Sequence, residues 1–189
     1  QSIKDLKGKR VALNKGSNVH YLLLKLLEAN NLKLDDIQVV YLPPADARAA
    51  FEKGAVDAWV IWDPFFAAAE QQIGARVIAN GENLVKNYQF YMADRKFAEQ
   101  NPEVVKAVIN ELNVAADWMT KNQDEAAKIL EKPTGLDASI LKTSIGRMNL
   151  GVQPISNQVA TQQQYVADAF YNQKLIPNKI NIQAAILAK

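Results

Sequence analysis

The stretch VVYLPPADARAAFEKGAVDAWVIWDPFF, residues Val39–Phe66, contains two strand-to-helix units in fewer than thirty residues. In the first unit, the apolar run Val39–Leu42 predicts a strand, and Asp46 opens a helical pattern that ends at Gly54. In the second unit, Ala58–Trp62 predicts another strand. A strand that leads directly into a helix is the repeating unit of an open α/β sheet, in which ligands bind beyond the carboxyl ends of the strands.

The residues after the second strand have the composition of a helix start. Asp63 is predicted to be the N-cap and Pro64 the first helical residue, because a carboxylate accepts the free amides of the first turn and proline has no amide hydrogen to leave unbonded. Trp62 and Asp63 are therefore expected at the ligand-binding edge of the sheet. Trp62 is either a core residue or an apolar wall of a cleft.

The alternation continues on both sides of this stretch. Val11–Leu13 predicts a short buried strand, Asn18–Asn30 a helix with leucines at helical spacing, and Val77–Ala79 a further strand. The pattern changes near Asn83–Tyr88, where we place a boundary.

Beyond that boundary the chain is mostly helical. The aromatic run Tyr88–Met92 predicts a single strand. Helical patterns follow at Asp94–Glu99, Pro102–Lys121, Gln123–Glu131, Asp137–Gly146 and Ser156–Gln173. Helices of this kind need a sheet to pack on, which this part does not supply, so we expect that an N-terminal portion is missing.

Composition excludes several kinds of site. The 189 residues include no cysteine and one histidine, which excludes disulfides, thiol catalysis and cysteine- or histidine-rich metal centres. No GxSxG, HExxH or phosphate-loop motif occurs, so no enzymatic activity, metal or cofactor is predicted. The 22 basic and 20 acidic residues are scattered, which argues against nucleic acid as a partner.

The loop Lys15-Gly16-Ser17-Asn18, between the first strand and the first helix, is a candidate anion site. A helix start presents free backbone N–H groups, and the helix dipole adds partial positive charge. Gly16 permits close approach of the backbone, and Ser17 could add its hydroxyl. Alternatively, Ser17 is only an N-cap and Lys15 is solvated. His20, one turn into the helix, is either a packing residue or a donor to the same anion.

Three segments together carry a resemblance to a known family. They are KDLKGKRVALNKGSNVHYLLLKLLEANNL (4–32), LPPADARAAFEKGAVDAWVIWDPFFAAA (42–69) and QQQYVADAFYNQKLIPNKINI (162–182). The chain resembles the periplasmic aliphatic-sulfonate-binding proteins of ABC importers along nearly its whole length, most specifically in the ADARAAF…G.VDAW.IWDP block. Receptors for taurine, nitrate and thiamine precursors are similar, with weaker forms of the pattern.

The resemblance implies an α/β, periplasmic-binding-protein-like (type II) fold of two lobes with a ligand cleft between them. Residues 1–87 would form the second lobe. Residues 88–189 would form a crossing strand and the C-terminal helical part of the first lobe, whose N-terminal sheet is absent. The implied partners are a small sulfonate anion and the membrane permease of an ABC importer. The implied location is periplasmic, or lipid-anchored outside the cytoplasmic membrane, with the export signal not in this chain.

The resemblance also implies roles for residues outside the first loop. It places the loop of Gly16 and Ser17 at the cleft. From the residues themselves, the rigid Pro43 and Pro44 lie in a third strand-end loop, which would shape the cleft. Tyr88 would lie on the crossing strand. Arg147 would lie on a segment that returns to the cleft, where its guanidinium could hold a sulfonate by two parallel hydrogen bonds or remain a surface group.

Other functions remain open from the sequence. The ligand could be taurine, nitrate or a thiamine precursor, or the chain could be the effector-sensing domain of a transcription regulator with a DNA-binding element upstream. A lone fragment would also expose the apolar face of helices such as Pro102–Lys121, which favours self-association.

Overall fold

The computed structural model describes residues 2–187. They form two compact units: unit 1 consists of residues 2–87 and Thr161–Ile182, and unit 2 consists of Tyr88–Ala160 and residues 183–187. The first break follows residue 87, and the segment from 161 to 182 joins the earlier part of the chain. The assignment of residues 1–87 and 88–189 to two lobes of a larger protein stays a prediction.

The secondary structure of residues 2–187 consists of short parallel strands and longer helices. The strands are β1 (Arg10–Leu13), β2 (Gln38–Tyr41) and β3 (Ala58–Trp59). The helices are α1 (Asn18–Ala29), α2 (Pro44–Glu52), α3 (Phe65–Ile73), α4 (Arg95–Gln100), α5 (Pro102–Lys121), α6 (Gln123–Thr134), α7 (Ala138–Gly146) and α8 (Asn157–Asn172). Short 3₁₀ turns lie at Ile3–Leu6, Leu34–Asp36 and Ile182–Ala185.

Unit 1 is built on the parallel sheet, whose strand order is β2-β1-β3. Side chains alternate across β1, so Val11 and Leu13 pack in the core with α1, whereas Ala12 packs on the other face with α2. The α1 core contains Leu23 and Leu27, which are almost fully buried. Because helices cover both faces of β1, its sequence is a continuous apolar run.

The sequence predicted this part well but misplaced some boundaries. The two strand-to-helix units of Val39–Phe66 are confirmed, although β3 stops at Trp59 instead of Trp62. The helix predicted to open at Asp46 begins at Pro44, because proline's fixed φ suits a first helical position. The strand predicted at Val77–Ala79 is not formed, since no strand among residues 2–187 pairs with it.

Unit 2 contains α4 to α7 and the first turn of α8. Its largest buried cluster lies between α6 and α7 and consists of Ala126, Ala127, Leu141 and Ile145. The helix α5 has the predicted bounds, Pro102–Lys121, but none of its side chains is buried. The strand predicted at Tyr88–Met92 is absent for the same reason as Val77–Ala79: an extended segment becomes a strand only when another strand bonds to its backbone.

Candidate functional site

The candidate site begins at the carboxyl edge of the sheet in unit 1. The three parallel strands end at Leu13, Tyr41 and Trp59, so the loops after them leave from the same edge. β1 lies in the centre, and the chain pairs first with β2 on one side and later with β3 on the other. In open α/β sheets this reversal of strand order creates a crevice that binds ligands. The loop after β1 and the loop after β3 flank that crevice.

The loop after β1 has a sharp, internally bonded geometry. Gly16 has φ of +72°, a left-handed conformation that glycine adopts without strain. Ser17 occupies the N-cap position of α1 with an extended backbone, as predicted. Its hydroxyl does not cap the helix but donates a 2.7 Å hydrogen bond to the carbonyl oxygen of Asn14. The Ser17 side chain therefore stabilises the turn between Asn14 and Ser17.

Two backbone amides at the start of α1 remain available to a ligand. The amides of His20 and Tyr21 donate to the carbonyl of Ser17, at 3.1 and 3.4 Å. The amide of Gly16 donates to the Nδ1 atom of His20. Within residues 2–187, the amides of Ser17 and Asn18 have no acceptor in the hydrogen-bond network. These two donors, at the start of a 12-residue helix, are chemically suited to an anion's oxygens.

His20 is fully buried. Its ring lies 5.5 Å from the ring of Tyr41, at the end of β2, and 5.8 Å from the ring of Phe170, on α8. Burial lowers the pKa of His20, and the nearby charge of Lys15 lowers it further. His20 therefore lies in the core with one bonded ring nitrogen, and its contact with a ligand stays a prediction.

Asn18 and Lys15 both have partners within unit 1. The Asn18 side-chain amide donates a 2.9 Å bond to Oδ1 of Asn87, the last residue before unit 2. The Nζ atom of Lys15 lies 5.5 Å from the centre of the Tyr41 ring, within the range of a cation–π contact. Lys15 places its positive charge beside the loop that holds the two available amides.

The loop after β3 contains Trp62 and Asp63. Trp62 is partly buried, packs on the α1 core and meets Phe65 edge-on, with ring centres 6.4 Å apart. The Oδ1 atom of Asp63 accepts a 3.0 Å bond from the amide of Ala67. Asp63 thus bonds the first turn of α3 as predicted, but the N-cap residue is Pro64 and the helix starts at Phe65.

The remaining predicted site residues divide between the units. Pro44 is the first residue of α2 and follows β2, at the same sheet edge as the other unit 1 candidates. Tyr88 and Arg147 belong to unit 2. Tyr88 is 38 % exposed, with its ring 6.5 Å from that of Phe90. Arg147 is exposed and is the C-cap residue of α7, where its backbone amide donates to the carbonyl of Ser144.

Sequence reasoning missed three residues that support this site. Tyr41 and Phe170 enclose His20, and Asn87 bonds Asn18. The position of Tyr41 could have been found, because it lies next to the end of the predicted strand Val39–Leu42, at the ligand edge. Phe170 could not, since it lies 150 positions away on a helix assigned to the other part of the chain.

A metal-binding cluster and a membrane-spanning helix are both absent from residues 2–187. Residues 2–187 contain no cluster of three or more histidine, aspartate or glutamate side chains arranged to hold a metal ion. In the same range, every helix lacks the length or the apolar content that a bilayer crossing requires.

The comparison with protein families decides the family. A family model described as NMT1/THI5 like matches residues 1–126, which is more than half of the chain. The chain belongs to the NMT1/THI5-like family. Among its relatives is an aliphatic sulfonates-binding protein of Escherichia coli (strain K12), 42 % identical over 188 residues, which cover 98 % of this chain and 59 % of that protein. The chain therefore spans about three fifths of that relative's length.

Solved structures of related proteins have the same fold. This NMT1/THI5-like chain matches the periplasmic aliphatic sulphonate binding protein of Escherichia coli with a TM-score of 0.94 at 40 % identity, covering 99 % of this chain and 61 % of that one. It matches the alkanesulfonate-binding protein of Xanthomonas axonopodis pv. citri, bound to MOPS, with a TM-score of 0.90 at 39 % identity, covering 99 % and 65 %. The predicted periplasmic-binding-protein-like α/β fold is confirmed.

Proposed function

We propose that this protein is a substrate-binding protein that captures aliphatic sulfonates outside the cytoplasmic membrane and delivers them to the permease of an ABC importer, without chemical conversion. Its main support is the match along 99 % of the chain to a periplasmic sulphonate-binding protein. The open amides of Ser17 and Asn18 add a chemical reason, because backbone donors at a helix start suit a weakly basic anion.

The proposed site offers different groups to the two ends of an alkanesulfonate. The sulfonate oxygens would accept from the Ser17 and Asn18 amides, and the partly buried ring of Trp62 would contact the alkyl chain. In this proposal Gly16, Pro44 and Asp63 shape the loops after β1, β2 and β3, and the roles of Tyr88 and Arg147 as ligand contacts stay predictions. The Asp63 carboxylate accepts a hydrogen bond from an amide in the first turn of α3, and the helix dipole there stabilises its negative charge.

The test is a calorimetric titration of the natural full-length product that contains this chain. The ligands are ethanesulfonate, MOPS, taurine, nitrate and sulfate. We expect the sulfonates to bind most tightly. Tighter binding of nitrate would instead assign the protein to a different receptor class, and heatless titrations with every anion would contradict the proposal.

Two substitutions test the site. Ser17→Ala removes the hydroxyl that braces the loop, and we expect roughly tenfold weaker sulfonate binding, the cost of about one hydrogen bond. Trp62→Ala removes apolar contact, so we expect the loss to grow with the length of the alkyl chain. Ser2→Ala and Trp118→Ala are the matched controls, one in unit 1 away from the site and one in unit 2. An equal loss in these controls would contradict the assignment.

We further propose that the chain of residues 1–189, studied alone, self-associates through unit 2. Val104 and Val108, one turn apart on α5, are 42 % and 53 % exposed, and adjacent exposed apolar side chains favour contact with another molecule. Sedimentation velocity should show a concentration-dependent shift to faster species. Val108→Lys should reduce that shift, whereas Lys106→Arg, a neighbouring change that keeps the charge, should not. A monomer at every concentration would contradict the proposal.

A further inference from the structure

His20 makes a contact that fixes its protonation state. Its Nδ1 atom accepts a 3.1 Å hydrogen bond from the backbone amide of Gly16. A ring nitrogen accepts only when it carries no proton, so His20 is neutral and carries its proton on Nε2. Among residues 2–187, the buried Nε2 atom has no hydrogen-bond partner.

The surroundings of His20 hold the ring in place. It is enclosed by Tyr41 from β2 and Phe170 from α8, so three distant parts of the sequence meet at this side chain. The cation of Lys15 and the phenol of Tyr41 are the titratable groups that face it, and burial raises the pKa of Tyr41. The positive charge of Lys15 favours a neutral imidazole, and the neutral phenol of Tyr41 supplies no negative charge that would oppose this.

We propose that His20 is a positioning residue of the anion loop and does not touch the ligand. It accepts a hydrogen bond from the Gly16 amide, which ties the left-handed turn to α1 next to the unbonded Ser17 and Asn18 amides. The contact with the ligand is part of the proposed function, on which this inference rests. The hold of His20 on Gly16 is a property of the free protein and can be tested without a ligand.

The proposal predicts the direction of a pH effect. A protonated imidazole donates from both nitrogens and cannot accept from Gly16, so acid should release the loop. Sulfonate affinity should therefore fall as the pH drops through the pKa of His20, which lies below the ordinary value of 6.5. If His20 instead contacted the sulfonate directly, its protonation would add a positive charge beside the anion and affinity would rise.

Two substitutions separate the two nitrogens of the ring. In His20→Asn, the side-chain oxygen can occupy the place of Nδ1 and accept from Gly16. In His20→Gln, the amide extends to the place of Nε2 and cannot serve Gly16 in the same way. We expect His20→Asn to keep sulfonate affinity within about threefold and His20→Gln to lose roughly tenfold, the cost of one hydrogen bond. The opposite ranking would overturn the proposal in favour of a direct contact through Nε2.

A measurement on the free protein keeps the inference separate from the proposed function and from misfolding. In ¹⁵N NMR spectra of the wild type, Nδ1 of His20 should have the shift of an unprotonated acceptor, and the Gly16 amide should exchange slowly with solvent. Exchange should remain slow in His20→Asn and become fast in His20→Gln, with the rest of the spectrum unchanged. Fast exchange of Gly16 in the wild type overturns the proposal. Slow exchange with no sulfonate binding supports the positioning contact and contradicts only the proposed function.

Discussion

Unit 1 and unit 2 differ in what their helices pack against. In unit 1, Leu13, Leu23 and Leu27 are at most 1 % exposed because α1 covers one face of a sheet. In unit 2, the 20-residue helix α5 has no buried side chain, and Trp118 near its end is 37 % exposed. A sheet presents a broad apolar surface that a helix can cover fully, whereas neighbouring helices cover only a stripe of each other. Similar helical patterns therefore yield a dense core in one unit and a sparse one in the other.

The comparison also explains where the candidate site can be precise. The loops of Gly16 and Trp62 leave strands that are packed on both faces, and the side chains of Ser17, His20 and Asp63 are bonded within unit 1. A binding site held on rigid elements needs less ordering when its ligand arrives. Tyr88 and Arg147 lie in unit 2, which has the smaller core, and both are exposed.

The largest expected difference between the units concerns their apolar side chains. Leu23→Ala, at a site with no exposure, should lower the free energy of unfolding by about 2–5 kcal/mol, since it leaves a cavity. Val108→Ala on α5 should change it by less than about 0.5 kcal/mol, because its side chain already contacts water. Urea unfolding followed by circular dichroism measures both. Equal losses would mean that α5 is packed as tightly as α1, which would contradict the difference between the two units.

A smaller effect is expected for the polar contact that orders unit 2. Asn113 on α5 donates to the carbonyl of Val152 at 3.1 Å and accepts from its amide at 2.7 Å. Asn113→Ala should cost about 1–3 kcal/mol, because it removes both bonds to a partly buried backbone. Asn110→Ala, on an exposed part of the same helix, is the control. If both variants unfold at the same urea concentration, the 148–155 segment does not depend on Asn113.

The smallest effect concerns an ion pair at the opposite edge of the sheet from the site. Asp57 accepts from the Arg10 guanidinium at two 3.0 Å contacts and from the Arg10 backbone amide at 2.8 Å. The guanidinium, followed by that amide, lowers the pKa of Asp57 to about 2. The pair's contribution is therefore complete above the ordinary aspartate pKa of 3.8 and is lost as the pH falls from there towards 2.

Thermal melts between pH 5 and 2 test this ion pair. In Asp57→Asn, the fall in melting temperature between pH 5 and pH 2 should be smaller than in the wild type. The difference should be modest, since the pair is partly exposed to solvent. Asp124→Asn in unit 2 removes a single contact to Lys142, so it should change the pH dependence of the melting temperature less than Asp57→Asn does. A larger effect from Asp124 would reverse the order that the number of bonds predicts.

The sequence predicted those elements whose signals are local. The bounds of α5 followed from Asn101-Pro102-Glu103 at its start, and the position of Ser17 followed from its place before a leucine-rich helix. Local signals also found the strands of unit 1, because each is a short apolar run followed by a turn. These features depend on neighbouring residues, so they can be read from one sequence.

Features that depend on distant partners could not be predicted in this way. Tyr88–Met92 has strand-forming residues, but a strand requires a second strand beside it. The enclosure of His20 depends on Phe170, and the pairing of Arg10 with Asp57 joins residues 47 positions apart. The same limit applies to the site: the loop was predicted, whereas the bond between the Gly16 amide and His20 required the structure.

In the proposed function, the backbone amides at the start of α1 hold the sulfonate. The most direct test is an NMR titration of the ¹⁵N-labelled full-length product with ethanesulfonate, following every backbone amide. We expect saturable shifts that are largest at Ser17 and Asn18, with a smaller change at Gly16 because its amide stays bonded to His20. Saturable binding that leaves the Ser17 and Asn18 amides unshifted would contradict it.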